Sequence, residues 1–208
     1  LAWALPEGGP LSATFMGQEL LWVRVDGLAR VFAIVFALIG GLGTLYALGS
    51  SSRRLTVAAF VAAGAALGIV LAGDWVTLYL SWETLALASF FIVSEGGTTR
   101  ASNAAFRYLL VHVAGGALLL AGIAWHLAEG GGLLVGSLAL DGPGVLIILA
   151  FAVNAAVVPL HAWLTDAYPE SSPAGGVFLS AFVTKAAVYA LARVFPGQEV
   201  LVWAGVTM

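Results

Sequence analysis

Cysteine is absent and lysine occurs once, at position 185, in a chain of 208 residues. Without cysteine the chain has no disulfide, no thiolate metal ligand and no cysteine-held iron–sulfur cluster of its own. Charge is also scarce: Asp, Glu, Lys and Arg make up 9% of the residues, against about 25% in a soluble domain. That excludes an ordinary water-soluble enzyme. Eight basic residues against eleven acidic ones leave a net charge of −3, so there is no basic surface of the kind that binds nucleic acid. No His/Asp/Glu cluster has metal-ligand spacing, and neither a Gly-x-Ser-x-Gly elbow nor a phosphate loop occurs, so no cofactor, metal or redox centre is expected.

What is present in quantity is apolar. Hydrophobic residues reach 61%, with 26 Gly and 7 Trp, the composition of a polytopic membrane protein in which small residues pack helices and lipid surrounds them. The chain begins with Leu1 and shows no charged n-region or cleavage site, so no signal peptide is read there. Leu1–Pro6 read as the tail of an earlier apolar segment and Val200–Met208 as the start of another; the expectation is an internal piece of a longer membrane chain.

The predicted fold is all-α: one transmembrane helix bundle over residues 1–208 with a broken helix. The spans read as 28–48, 55–72, 75–93, 109–127, a broken segment 145–168, 175–194, and the beginning of another at 200–208. Most contain about 20 residues, enough to cross the hydrocarbon core. Val145–Leu160 is too short to cross alone and meets Pro159. Proline removes a helix hydrogen bond and clashes with the preceding turn, so the helix breaks there and resumes over His161–Tyr168. Such interruptions at membrane depth occur where the backbone faces protein or a watery cavity.

Arg53 and Arg54 fall in one loop and Arg100 and Arg107 in another, two spans apart, whereas Ala128–Gly144 carries Glu129 and Asp141 without a Lys or Arg. The face bearing the arginines is therefore read as cytoplasmic, with Arg24, Arg30 and Arg193 on the other. Gly64 and Gly68 form a GxxxG pair, and Gly40, Gly41 and Gly43 crowd the first span, both signs of close helix packing. Trp22, Trp75, Trp125, Trp163 and Trp203 lie near span ends, where an interfacial aromatic belt is expected.

Two ionisable residues lie near the middle of apolar spans, Glu83 in the third and Lys185 in the sixth. A charge at that depth costs about 2.5–3.5 kcal/mol on insertion scales, so such residues face the bundle and have a partner or a path. A Glu83–Lys185 salt bridge that fixes packing is one reading; a proton relay is the other, since a pair that can be made and broken changes protonation with geometry. His112, Asn154 and His161 are further polar groups at depth. An imidazole can carry a proton near neutral pH, whereas Asn154 can orient water but cannot titrate. Ser81, Thr84, Ser180 and Thr184 lie within a turn of the two charges, where hydroxyls hydrate a path or bond the backbone.

Trp75–Val93, with Ser81-Trp82-Glu83, and the stretch PLHAWLTDAYPESSPAGGVFLSAFVTKAAVYALAR over residues 159–193 resemble the antiporter-like membrane subunits shared by respiratory complex I, membrane-bound hydrogenases and Mrp-type sodium/proton antiporters. The ending at residues 184–193 looks closest to the D-type subunits of the antiporters. The resemblance implies a first inverted repeat from a subunit of about fourteen spans. It also implies a multi-pass plasma-membrane location, with partners among homologous antiporter-like and small membrane subunits, lipid, protons and a monovalent cation. By position it carries the family's glutamate to Glu83 and its eighth-span lysine to Lys185. His161, Trp163 and Asp166 match the LHxWLPDA motif, with Thr165 where Pro is usual. Asn154 stands where the family commonly has a lysine that pairs with the glutamate.

Three functions follow as expectations. The first is a proton-translocating subunit of a cation/proton antiporter, with Glu83 and Lys185 as relay and His112, Asn154 and His161 as lesser members. The second is a pump arm of complex I (an NADH:quinone oxidoreductase) or a hydrogenase, in which the same residues move protons driven by electron transfer elsewhere. The third is a non-conducting structural subunit, which Asn154 makes credible.

Overall fold

The computed structural model describes residues 8–15, 18–49 and 52–207. Among these residues, eight helices follow a β-hairpin: β1 (Gly8–Phe15), β2 (Gln18–Val25), α1 (Gly27–Ala47), α2 (Arg53–Leu71), α3 (Trp75–Ser94), α4 (Thr99–Ala128), α5 (Gly142–Ala155), α6 (Ala162–Glu170), α7 (Pro173–Val194) and α8 (Glu199–Thr207). Helices α1, α2, α3, α4 and α7 are long and apolar enough to cross a membrane. In lipid the backbone must satisfy its own hydrogen bonds, which a helix does within one segment.

Side-chain caps open the helices. Asp26, Ser52, Asp74, Thr98, Asp141 and Ser172 each accept a hydrogen bond from a first-turn N–H, satisfying donors the helix leaves unpaired. The Thr98 cap corrects one expectation. The helix read as starting at residue 109 begins ten residues earlier, because Arg100 and Arg107 lie on its first turns rather than in a loop. Thirty residues give about 45 Å, so α4 projects beyond the hydrocarbon core at its N-terminal end.

The helix break is also displaced. α5 ends at Ala155, four residues before Pro159, in a left-handed turn at Ala156 (φ 60°, ψ 38°) whose N–H bonds back to Val153 O. Proline disfavours helical geometry in the residue before it and has no N–H to donate to the carbonyl four residues back, that of Ala155, so the helix stops ahead of Pro159. At 14 residues, α5 reaches about 21 Å, short of the hydrocarbon thickness. α6 resumes at Ala162.

The hairpin was not read from the sequence. Its strands pair antiparallel, from Gly8↔Val25 to Phe15↔Gln18, and lie over the end of the bundle where α2 stops and α3 starts. Gly73 N donates to Leu21 O (3.0 Å) and Arg24 Nη1 to Val135 O (2.7 Å). A Cβ at Gly73 would lie 2.5 Å from Leu21 O, so only glycine admits this approach. At the same end, Arg193 of α7 reaches the α1 cap: Nη2 contacts both Asp26 oxygens (2.7 and 2.8 Å), Nε donates to Tyr189 Oη (2.6 Å), and Tyr189 donates to Val70 O (2.5 Å). One buried guanidinium thus ties these helices together.

Packing separates the small residues that sequence grouped together. Gly68 admits Ser81 of α3, and Gly43 admits Phe178 of α7, whereas Gly64 and Gly41 have nothing within 4 Å of an added Cβ. The aromatic belt divides too. Trp22, Trp125 and Trp203 are exposed, but Trp75 and Trp163 are buried, which corrects their assignment to the interface.

Candidate functional site

Glu83 lies midway along α3, between the buried Trp82, whose ring meets Phe151 of α5 at 5.0 Å, and a notch in α4. The notch is Gly116. A Cβ there would overlap Glu83 Oε1 and sit 2.9 Å from the carboxyl carbon. The carboxylate therefore lies against the bare backbone of α4, close packing that only the missing side chain permits. Oε1 is buried and has no hydrogen-bond partner among the described residues.

The adjacent glycine, Gly115, faces α5. Its added Cβ would touch Val153 at 3.4 Å and Asn154 Oδ1 at 3.5 Å. Asn154 is 3% exposed and its Oδ1 is likewise unpartnered among the described residues. One turn earlier on α4 comes His112, 1% exposed, with Nδ1 at 2.9 Å from Tyr108 O and a buried Nε2 that also has no such partner. At about 100° per residue, His112 lies between Gly115 and Gly116 in azimuth on the same face of α4. Three polar side chains thus gather round one face of α4, from α3, α5 and α4 itself. Buried polar atoms are hydrogen-bonded to protein or to ordered water; for Glu83 Oε1, Asn154 Oδ1 and His112 Nε2 no protein partner is present among the described residues.

The broken helix supports this cluster. Trp163 of α6 donates its indole N–H to Val153 O (2.8 Å), an α5 carbonyl near the break, and packs edge-on against the His112 ring at 4.6 Å. The His112 ring in turn stacks on Tyr108 at 3.8 Å. Asp166 takes a two-pronged contact from Arg107 of α4, Nε–Oδ2 2.6 Å and Nη2–Oδ1 2.7 Å. In the HAWLTDA run, then, Trp163 and Asp166 hold α6 against α4 and α5. His161 precedes α6, and its Nδ1 is buried without a partner among the described residues.

Lys185 is elsewhere. It is exposed on α7 and lines a separate groove of about 770 Å3 between α1 and α7, together with Phe32, Phe36 and Ser180. Its Nζ donates to Thr184 Oγ1 at 3.2 Å, and no Glu83–Lys185 ion pair forms among the described residues. The expected pair of charges is therefore not assembled. Both are central in their helices, but they leave their helices toward different neighbours. Of the hydroxyls near them, Ser81 packs on Gly68 and Thr84 bonds its own backbone at Leu80 O (2.7 Å). Gly115 and Gly116 are the residues that sequence reasoning missed. The available signal was a Gly-Gly pair three and four residues after a mid-span histidine.

The transmembrane family of NADH:quinone oxidoreductases and Mrp antiporters matches residues 72–206. The chain belongs to that family. Among its relatives, NADH-quinone oxidoreductase subunit N of Desulforudis audaxviator is 32% identical over 93% of this chain and 43% of its own length. The D-type member of the Na(+)/H(+) antiporter of Bacillus subtilis is 28% identical over 83% of this chain and 38% of its own. The Mrp complex of Dietzia sp. DQ12-45-1b contains a chain that superposes with a TM-score of 0.79 at 29% identity, covering 92% of this chain and 23% of that one. The chain thus spans less than half the length of these relatives. The antiporter-family resemblance read from Glu83 and the 159–193 block is established, and with it the polytopic helical membrane architecture.

Proposed function

We propose that this chain is the proton-translocating part of an Mrp-type monovalent cation/proton antiporter subunit, working in the plasma membrane beside homologous and small membrane subunits. The observation that carries the proposal is Glu83: an acid at mid-helix, seated in the Gly116 notch, with a buried oxygen that no protein group among the described residues satisfies. An acid at that depth with no cation partner among the described residues is placed to exchange a proton with water or a base that reaches it. Water between Glu83, Asn154 and His112 supplies that route. Asn154 orients it and His112 accepts the proton, with His161 at the break as the next group. Lys185 is a second station, opening into the α1–α7 groove rather than facing Glu83.

The test is ion-driven pH change in inverted vesicles carrying the complete complex. Glu83→Gln keeps the shape and removes the proton-exchanging group, so antiport should fall to background while the complex still assembles. Undiminished antiport in Glu83→Gln overturns the proposal. The similarity to a component of an NADH-quinone oxidoreductase favours a second reading, in which the same groups move protons under redox drive. Proton flux that requires NADH and quinone rather than a sodium gradient would select it.

A further inference from the structure

Beside the notch face of α3, α2 and α3 enclose a groove of about 1040 Å3 that is open to the surroundings. Its walls are apolar, with Val57 and Val61 from α2 and Leu87 and Phe91 from α3, all exposed. One end is basic: Arg53 and Arg54 occupy the first turn of α2. Neither has an ion-pair partner among the described residues. The acid at that end, Glu95, accepts a hydrogen bond from the Ser52 hydroxyl and keeps its charge, so this end carries two positive charges against one negative. Two cations at a helix N-terminus add to the positive end of the helix dipole and favour an anion there. The other end of the groove is Thr84, beside Glu83. From Glu95 to Thr84 is about eleven residues of α3, about 16 Å, and one leaflet of hydrocarbon is about 15 Å deep.

We infer that this groove is a binding site for one anionic phospholipid, its phosphate held between Arg53 and Arg54 and an acyl chain laid along α2 and α3 to Thr84. Charge complementarity and the match to one leaflet distinguish this ligand from a neighbouring transmembrane helix. A helix would bury two unpaired guanidinium groups against its own polar end, and it would have to be covered over about 30 Å rather than half of that. The acyl chain seals α3 on the lipid side at the level of Glu83.

The experiment is native mass spectrometry of the intact complex in nanodiscs of mixed phosphatidylglycerol and phosphatidylcholine, with retained lipid counted after delipidation. The expected result is one phosphatidylglycerol held selectively. Arg53→Gln with Arg54→Gln should weaken retention about 25-fold, two basic contacts at roughly fivefold each. Arg53→Lys with Arg54→Lys should keep it. Leu87→Trp, which fills the groove and leaves the charge intact, should also expel the lipid. All these positions are exposed, so the complex should assemble in each variant. Equal retention of both lipids, or no effect of either the glutamine or the tryptophan substitution, would overturn the inference. So would a photo-crosslinker at Phe91 that captures a protein instead of lipid. None of these outcomes depends on transport, so the lipid site and the proposed antiport fail or stand separately.

Discussion

Gly116→Ala isolates the seating of Glu83 from everything else in the bundle. The added methyl would lie 2.9 Å from the Glu83 carboxyl carbon and overlap Oε1, where ordinary contact begins near 3.4 Å. The carboxyl carbon must retreat by at least about 0.5 Å, the difference of those two distances, and the oxygen by more. The clashing atoms are the far end of a flexible side chain, so the acid moves and the helices stay. Replacing a mid-helix glycine by alanine also favours the helix by about 0.8–1.0 kcal/mol, so the variant should assemble at least as well as the parent. Misplacing a reacting group by about 1 Å can cost about 100-fold in rate. We therefore expect antiport in inverted vesicles to fall by roughly 10- to 100-fold with an unchanged or slightly raised thermal transition. Gly115→Ala is the control. Its methyl makes ordinary contacts at 3.4–3.6 Å with Val153 and Asn154 and should leave antiport near the parent level. Full activity in Gly116→Ala, or equal loss in both variants, would refute the notch as the seat of the proton-exchanging acid.

Further perturbations test the scaffold. Asp26→Ala takes the carboxylate, itself 41% exposed, from the Arg193 guanidinium, 7% exposed, and removes the α1 cap; a loss of about 2–3 kcal/mol, about 1 from the screened pair and the rest from the cap, should show as a clear drop in thermal transition in detergent. Tyr189→Phe removes the bond to Val70 O and an acceptor for Arg193, with a smaller expected loss of about 1–2 kcal/mol in the same assay. The Arg107–Asp166 pair is partly exposed, so Asp166→Asn should cost about 1 kcal/mol or less, and exchanging the two charges should restore most of it. A stability change as large as that of Asp26→Ala would contradict that ranking. Ala156→Gly relieves a left-handed residue (φ 60°) at the end of α5 and should stabilise the protein by about 1 kcal/mol; a lowered transition would show that the turn is not held at the expense of strain.

Composition alone decided that this is a bundle of membrane helices. With 9% charge and 61% hydrophobic residues, the chain has few ways to satisfy its backbone in lipid other than helices. Pro159 announced that the fifth span would break, and counting along α3 and α7 put Glu83 and Lys185 at mid-helix, because depth along a helix is a linear function of residue number. The β-hairpin escaped because its pairing depends on contacts with Gly73 and Val135, far away in the chain. The extension of α4 escaped because Arg100 and Arg107 read as loop charges until Asp166 is seen opposite one of them. Azimuth is what the sequence could not supply. Which neighbour a mid-helix side chain meets depends on how each helix is rotated against the others, and that is set by the sum of many packing contacts, of which Gly116 under Glu83 and Phe178 against Gly43 are two. Only the tertiary structure therefore turned Glu83 into the Gly116 notch of α4 and turned Lys185 into a different groove.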